Sequence, residues 1–378
     1  MFEIFNTPRH YPWGSLTALA ELRGVTPSGL PEAEIWFGDH PGSPAVRAED
    51  GRSLIDWEAL DANRRPLPFL LKLLAVDIPL SLQVHPSLTA AAAGFARENA
   101  AGIPIGSPTR NYKDANHKPE IIRAVTEFSA LSGFRPEHER TEILEHLVAA
   151  GLTGAAELAQ ACSGSLRAGV EHIIRHEPSA IALASALATF SSATGIAHVD
   201  DAIATARRIA QVFPGDPGLA LVLLLNHVTL APGEALAVPA GTVHAYLSGV
   251  GVEVMASSDN VLRAGLTTKH VDAAEFLSVV DFDEENSGRI LPSVAGNVRE
   301  FAADFRDCAL TEISVDGPVS PTITTPAIAL VIDGSVTVGS GKPITLTPGG
   351  AVFLEPGEAI LDLSGSGTLV IAHGEARD

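Results

Sequence analysis

The chain has 378 residues, 46% of them apolar, which is enough for two or three domains with cores of their own. Its 25 Lys and Arg stand against 45 Asp and Glu, and the resulting formal charge of -20 argues against nucleic acid or an anionic membrane as a partner. Only Cys162 and Cys308 occur, so there is neither a disulfide framework nor a thiolate metal site. The start, Met1 to His10, lacks a basic region followed by an apolar run, and the longest apolar run, Leu219 to Leu225, is too short to span a bilayer. A cytoplasmic protein is expected, in which any anionic ligand must find a local positive pocket.

Up to about Arg135 the chain reads as short strands broken by Pro and Gly, with one helical patch near Leu16–Leu22. Trp13 and Trp36 sit beside turn formers and read as core aromatics at strand ends. Phe69 to Ala75 is apolar except for Lys72, which either snorkels at a strand edge or faces a polar cavity. The stretch Leu80-Ser81-Leu82-Gln83-Val84-His85-Pro86 places Ser81, Gln83 and His85 on one face of a strand and Leu82 and Val84 on the other. A buried polar face needs partners. Ala90 to Ala100 reads as a short helix, followed by a loop and then by Asn116-His117-Lys118-Pro119-Glu120, in which Lys118 and Glu120 share a face. Pro119 removes one ladder donor, which places this segment at a sheet edge or a strand start.

From Glu137 to about Val212 the texture becomes helical, rich in Ala, Leu, Glu and Arg with apolar residues such as Ile143, Leu147, Ile203 and Ile209 at helical spacing. His172 and His176 form an i, i+4 pair within it, expected on a solvated helix face and not as metal ligands. Strand texture resumes at about Val228. Gly233 to His244 then matches a cupin motif: Gly, five residues, Pro, one residue, Gly, two residues, His. The turn aims the His inward from a strand of a jelly roll. Near the C-terminus the Gly-five-Pro phrase recurs from Gly350 to Pro356, but the position equivalent to His244 is Leu361. Gln83, His85, Glu120 and His244 together supply an amide oxygen, two imidazoles and a carboxylate, a donor set suited to one divalent metal.

These segments resemble the type I mannose-6-phosphate isomerase family, from Tyr11-Pro12-Trp13-Gly14 to at least Asp272. In that family the Gln and His of a strand like Leu80–Pro86, the Glu of a segment like Asn116–Glu120 and the His of the cupin phrase bind zinc. The resemblance therefore implies Gln83, His85, Glu120 and His244 as ligands of one Zn2+ per chain. Ser258 to Asp272 is similar to the family's most distinctive stretch and implies an active-site role for Arg263; Thr268 stands where Pro is usual. A sugar phosphate and its enediolate need cations in so acidic a chain, and Lys72, Lys118 and Lys269 are the further candidates, with Ser81 as a hydrogen-bond donor. Glu253 and Asp259 are proton-shuttle candidates or structural partners of the cations.

The expected fold is mainly β with a helical insertion: residues 1–135 with 214–265 as a catalytic cupin jelly roll, 136–213 as helices, and 266–378 as a second jelly roll without a metal site. The expected activity is interconversion of mannose-6-phosphate and fructose-6-phosphate. An Fe(II) cupin oxygenase and a non-catalytic, metal-stabilised sugar-binding regulator are the competing readings, although an iron triad calls for neither Gln83 nor the cations. The sequence leaves the oligomeric state open.

Overall fold

The computed structural model describes all residues except Glu284, Ser340, Ala359 and 376–378, so the last residues of the expected second jelly roll lie outside the described part. It is mainly β, with the strands in two antiparallel sheets and a block of helices inserted into the first.

One strand organises the first sheet. His244–Ala256 pairs through its N-terminal half with Leu82–Val84 and Phe128–Phe134, and through its C-terminal half with Phe69–Val76 and Glu120–Ala124. The exchange of neighbours occurs at a bulge between Tyr246 and Ser248, next to Gly249, whose φ is 115°. A Cβ at Gly249 would lie 2.4 Å from Glu127 O, so only glycine turns this corner. Gly241 performs a similar service in the turn before His244, at φ 89°, with Asp281 packed on the side a Cβ would occupy.

The alternation of each strand decides what its two faces meet. Leu82, Val84, Leu131, Val243 and Ala245 point outward and share a core with Ile143, Leu147, Ile203 and Ile209 of the helices. Those helices run Glu137–Ala149, Ala155–Gly164, Leu166–Ile174, Pro178–Leu187 and Ala197–Ala210. Farther along the sheet, Leu71, Leu73, Ile121, Val252 and Val254 point the same way and instead meet Phe301, Leu310, Ile328, Phe353 and Val370 of the second sheet. The opposite face carries the polar side chains together with a second apolar cluster that includes Leu74, Val76, Ile122, Ala124, Phe128 and Ala130.

The second sheet is built on Ala309–Asp316, Ala327–Val338, Ala351–Leu354 and Leu363–His373, with a separate apolar core that includes Val336, Leu346, Leu361 and Leu369. The chain ends are exchanged between the sheets. Phe2–Phe5 pairs with Ala351–Leu354, and Arg289–Ile290 pairs with Ala235–Val238 of the first sheet.

Local expectations hold with adjustments. The helix near Ala90 begins earlier, at Leu88, because Ser87 caps it by accepting a hydrogen bond from Ala90 N–H. Leu54–Glu58 is a helix not foreseen in the N-terminal strand texture, capped in the same way by Ser53. The strand around Gln83 covers only Leu82–Val84; Pro79 and Pro86 bound it, so Ser81 and His85 lie just outside the regular ladder. Pro119 stands immediately before the strand Glu120–Ala124, where its missing N–H leaves no ladder bond unmade. The strand expected from Val228 already begins at Leu225. Among the described residues no helix is long and apolar enough to cross a membrane.

Candidate active site and metal centre

His244 lies opposite Gln83 in the ladder, and Arg263 of Leu262–Gly265 lies opposite Gln83 on its other side. Directly opposed residues of an antiparallel pair project to one face, so these side chains share the polar face. Lower on the same face Glu253 opposes Lys72 and Ile122, and Lys72 opposes Trp36. Glu120 opposes Met255. The register of one strand thus gathers residues that are far apart in sequence.

His85, Glu120 and His244 are wholly buried and present ligand atoms within 4.8 Å of one another. Glu120 Oε1 lies 3.2 Å from His85 Nε2, and Glu120 Oε2 lies 3.5 Å from His244 Nε2. The Gln83 amide is 3.3 Å from His244 Nε2, and rotating it by half a turn would bring its oxygen to the same place. Each imidazole is held from behind: His85 Nδ1 is 2.7 Å from Asn260 O, and His244 Nδ1 is 3.0 Å from Thr242 O. Those carbonyls accept the Nδ1–H and leave the Nε2 lone pairs facing the cluster. Among the described residues His85 Nε2 has no hydrogen-bond partner. Burial and the Lys118 ammonium push His85 down to about 3, which keeps it a neutral ring able to ligate. Burial alone would raise Glu120, but the Lys118 ammonium beside it overcomes this and holds the carboxyl well below its ordinary range. Two imidazoles, a carboxylate and an amide, buried and converging, fit a divalent metal.

Around this centre lies a buried ion network. Lys118 Nζ donates to Glu120 Oε1 at 2.6 Å, and Tyr246 donates from its hydroxyl to Glu120 Oε2 at 3.1 Å. Lys72 Nζ is 2.9 Å from Glu253 and 3.7 Å from Glu34, whose other oxygen accepts from the Trp36 ring N–H at 2.8 Å. Burial works against the Lys72 ammonium, yet Glu253, Glu34 and Glu120 raise its pKa well above the usual lysine range. Burial raises Glu253, with Lys72 opposing. Lys72 is therefore neither snorkelling nor at an edge; it sits in mid-strand and faces the polar cleft.

Among the described residues Arg263 and Lys269 have no carboxylate within ion-pair distance. Burial lowers both, and Arg263 adds its repulsion to Lys269. Lys113 is likewise lowered by burial and by neighbouring Arg110 and Arg263. Arg263 and Lys269, close enough to repel each other and with no ion-pair partner among the described residues, form an anion-receptive corner. Asp259 differs from Glu253: its carboxylate is half exposed and 3.3 Å from His40, whose hydrogen bond lowers it. Ser81 is half-buried beside Gln83.

Sequence reasoning passed over Tyr246, Glu34 and His40. Tyr246 was detectable as the residue two places after His244 on the same strand face; Glu34 and His40 carried no local signal. His172 and His176 do not form a helix face. The helix stops at Ile174, His176 takes the left-handed conformation at φ 58°, and His172 Nε2 bonds Ser179 Oγ at 2.8 Å. A cavity of about 560 Å³ among the helices, lined by Arg140, Leu144, Cys162 and Ser165, shares no residue with the cluster.

Residues 1–137 match the model of the phosphomannose isomerase type I catalytic domain. The mannose-6-phosphate isomerase of Salmonella typhimurium is 36% identical over 407 aligned residues, covering 99% of this chain and 100% of that protein. A mutant phosphomannose isomerase from the same organism superimposes with a TM-score of 0.90 at 34% identity, covering both chains fully. A mannose 6-phosphate isomerase solved with zinc and yttrium gives a TM-score of 0.88, again at 34% identity and full coverage. Likeness of this extent in both sequence and structure means that the chain belongs to the type I phosphomannose isomerase family.

Proposed function

We propose that the chain interconverts mannose-6-phosphate and fructose-6-phosphate, with one Zn2+ held by Gln83, His85, Glu120 and His244. The convergence of a cluster of two imidazoles and a carboxylate with Arg263 on one sheet face carries this reading. Gln83 also argues against the iron-oxygenase alternative, and the cations give a sugar phosphate something to bind. The net charge of -20 supports a small-molecule substrate without nucleic acid or an anionic membrane.

Bound zinc supplies Lewis acidity that makes a proton next to a coordinated sugar oxygen easier to remove. The chain's own residues do the rest. Lys269, with Ser81 as a hydroxyl donor, holds the phosphate, so that its charge orients the sugar. Arg263 faces the cluster from the strand beside Gln83, where its planar guanidinium can grip two oxygens of an enediolate. Lys118 neutralises Glu120 and adds positive charge at the reacting end. Glu253 and Lys72 form the buried pair able to hold and return a proton inside the cleft, since burial favours the neutral carboxyl while the ammonium favours its anion. Asp259 is placed to orient His40 at the half-exposed rim.

The test is conversion of mannose-6-phosphate to fructose-6-phosphate by protein as purified, stripped by chelator, and reloaded with zinc. Activity lost on stripping and regained with zinc is expected. Undiminished turnover without metal, or no turnover with it, would remove the proposal.

A further inference from the structure

The segment that supplies Lys118 and Glu120 has two faces, and its alternate residues run to different sheets. Lys118, Glu120 and Ile122 lie on the cleft side. His117, Pro119, Ile121 and Arg123 point toward the second sheet, and each meets it. His117 Nε2 is 2.6 Å from Asp307 Oδ2. The Cys308 thiol donates toward Pro119 O at 3.7 Å. Ile121 packs in the core shared with Phe301 and Leu310. Arg123 Nε donates to Glu312 Oε2 at 2.7 Å, and Arg299 grips the other oxygen of Glu312 at 2.8 Å. Asp307 and Glu312 are almost wholly buried, at 2% and 3% exposure, so these contacts work in a low dielectric.

We propose that Asp307 and Glu312 are positioning residues for the metal centre: the second jelly roll clamps both ends of the 117–123 segment and thereby sets where Lys118 Nζ and the Glu120 carboxylate stand. This proposal rests on the isomerase reading for its catalytic arm only. A ligand strand running free before Glu120 has a soft point at Pro119, which makes no ladder bond of its own through nitrogen. The clamp removes that softness at His117, two residues upstream of the proline, and again at Arg123. A metal ligand displaced by less than an ångström loses affinity and rate together, so side chains that fix a ligand's position typically matter tenfold or more.

The experiment measures zinc affinity by chelator competition, and kcat and KM separately, in Asp307→Ala and Asp307→Asn. Asp307→Ala is expected to weaken zinc binding about tenfold and to lower kcat about tenfold, with KM changed less than about twofold. Asp307→Asn keeps an oxygen for His117 and is expected to recover most of both losses. Should Asp307→Ala fail to fold, His117→Ala cuts the same contact from its half-buried side and carries the same expectation. A folded Asp307→Ala or His117→Ala with wild-type zinc affinity and kcat, and only a lower Tm, would overturn the proposal, because that is the outcome of a purely structural contact. Zinc affinity is read without substrate, so failure of the isomerase reading would leave this arm interpretable.

Discussion

The two jelly-roll sheets carry the same Gly-five-Pro phrase and end it differently. In the first, the phrase leads to His244, buried against His85 and Glu120. In the second, it leads to Leu361, buried at 3% exposure among Val336, Leu346, Leu363 and Leu369. The first sheet buries Lys72, Lys118, Glu120 and Glu253 on one face, charges whose desolvation is offset by their mutual pairing. The second keeps its own core apolar, and its buried acidic side chains, Asp307 and Glu312, are aimed at the first. A site made of buried charges is costly to hold together, and a rigid apolar neighbour is a physical means of holding it.

The sharpest way to break this contrast is to exchange its end points. His244→Ala removes one proposed ligand and is expected to leave zinc content at about a tenth of wild type or less, with isomerase activity falling in step. Leu361→His does not confer a site in return, since the described core around it is apolar. It is expected to bind no additional zinc and to cost about 3 kcal/mol of stability, read by denaturant unfolding, from lost packing and an unpaired buried ring. Extra zinc in Leu361→His would show that the two phrases are closer in function than their surroundings indicate.

Arg263 probes the polar face without touching the ligands. Arg263→Gln is expected to lower kcat by roughly a hundredfold or more, about 3 kcal/mol, at unchanged zinc content. Arg263→Lys is expected to restore little, because an ammonium cannot make the two-pronged contact. A raised KM with kcat intact would instead place Arg263 at the phosphate.

The smallest effect is expected near the boundary between the sheets, where Trp57 packs with Phe2 and Phe353. Next to it Glu58 is pushed up to about 8, chiefly by burial and then by the charge of Asp39, and Asp39 is raised too. The folded protein therefore keeps a proton that the unfolded chain releases near pH 4.5. Stability from this group is complete below that pH and is lost as pH rises through about 8. Thermal unfolding should show Tm declining over this window, and Glu58→Gln should flatten the decline. An unchanged slope in Glu58→Gln would assign the dependence to other groups.

Much of this was legible in the residues because it is local. Period-two alternation separated Gln83 from Leu82 and Val84, helical spacing marked the helices that begin at Glu137, and the Pro-Gly turn before His244 required its glycine. The pairing of Lys72 with Glu253 was not legible, since either carboxylate candidate could have met any lysine. It follows from the register between two strands that have the whole helical segment between them in sequence. His172 and His176 misled for a related reason: spacing predicts a shared face only while the helix continues, and here it ends at Ile174.

Residue types and their spacing were enough to show which side chains could ligate a metal, which strand faces carried polar residues, and that the second phrase has Leu361 where the first has His244. These properties depend on residue type and on the short periods of strand and helix. The folded arrangement was needed to see that Asp307 and Glu312 contact the segment of Glu120, that Phe2–Phe5 joins the distant sheet, and that Tyr246 and Glu34 complete the ion network. Such contacts depend on how twisted sheets stack and in what register their strands pair, a collective outcome of the whole apolar core that no local pattern encodes.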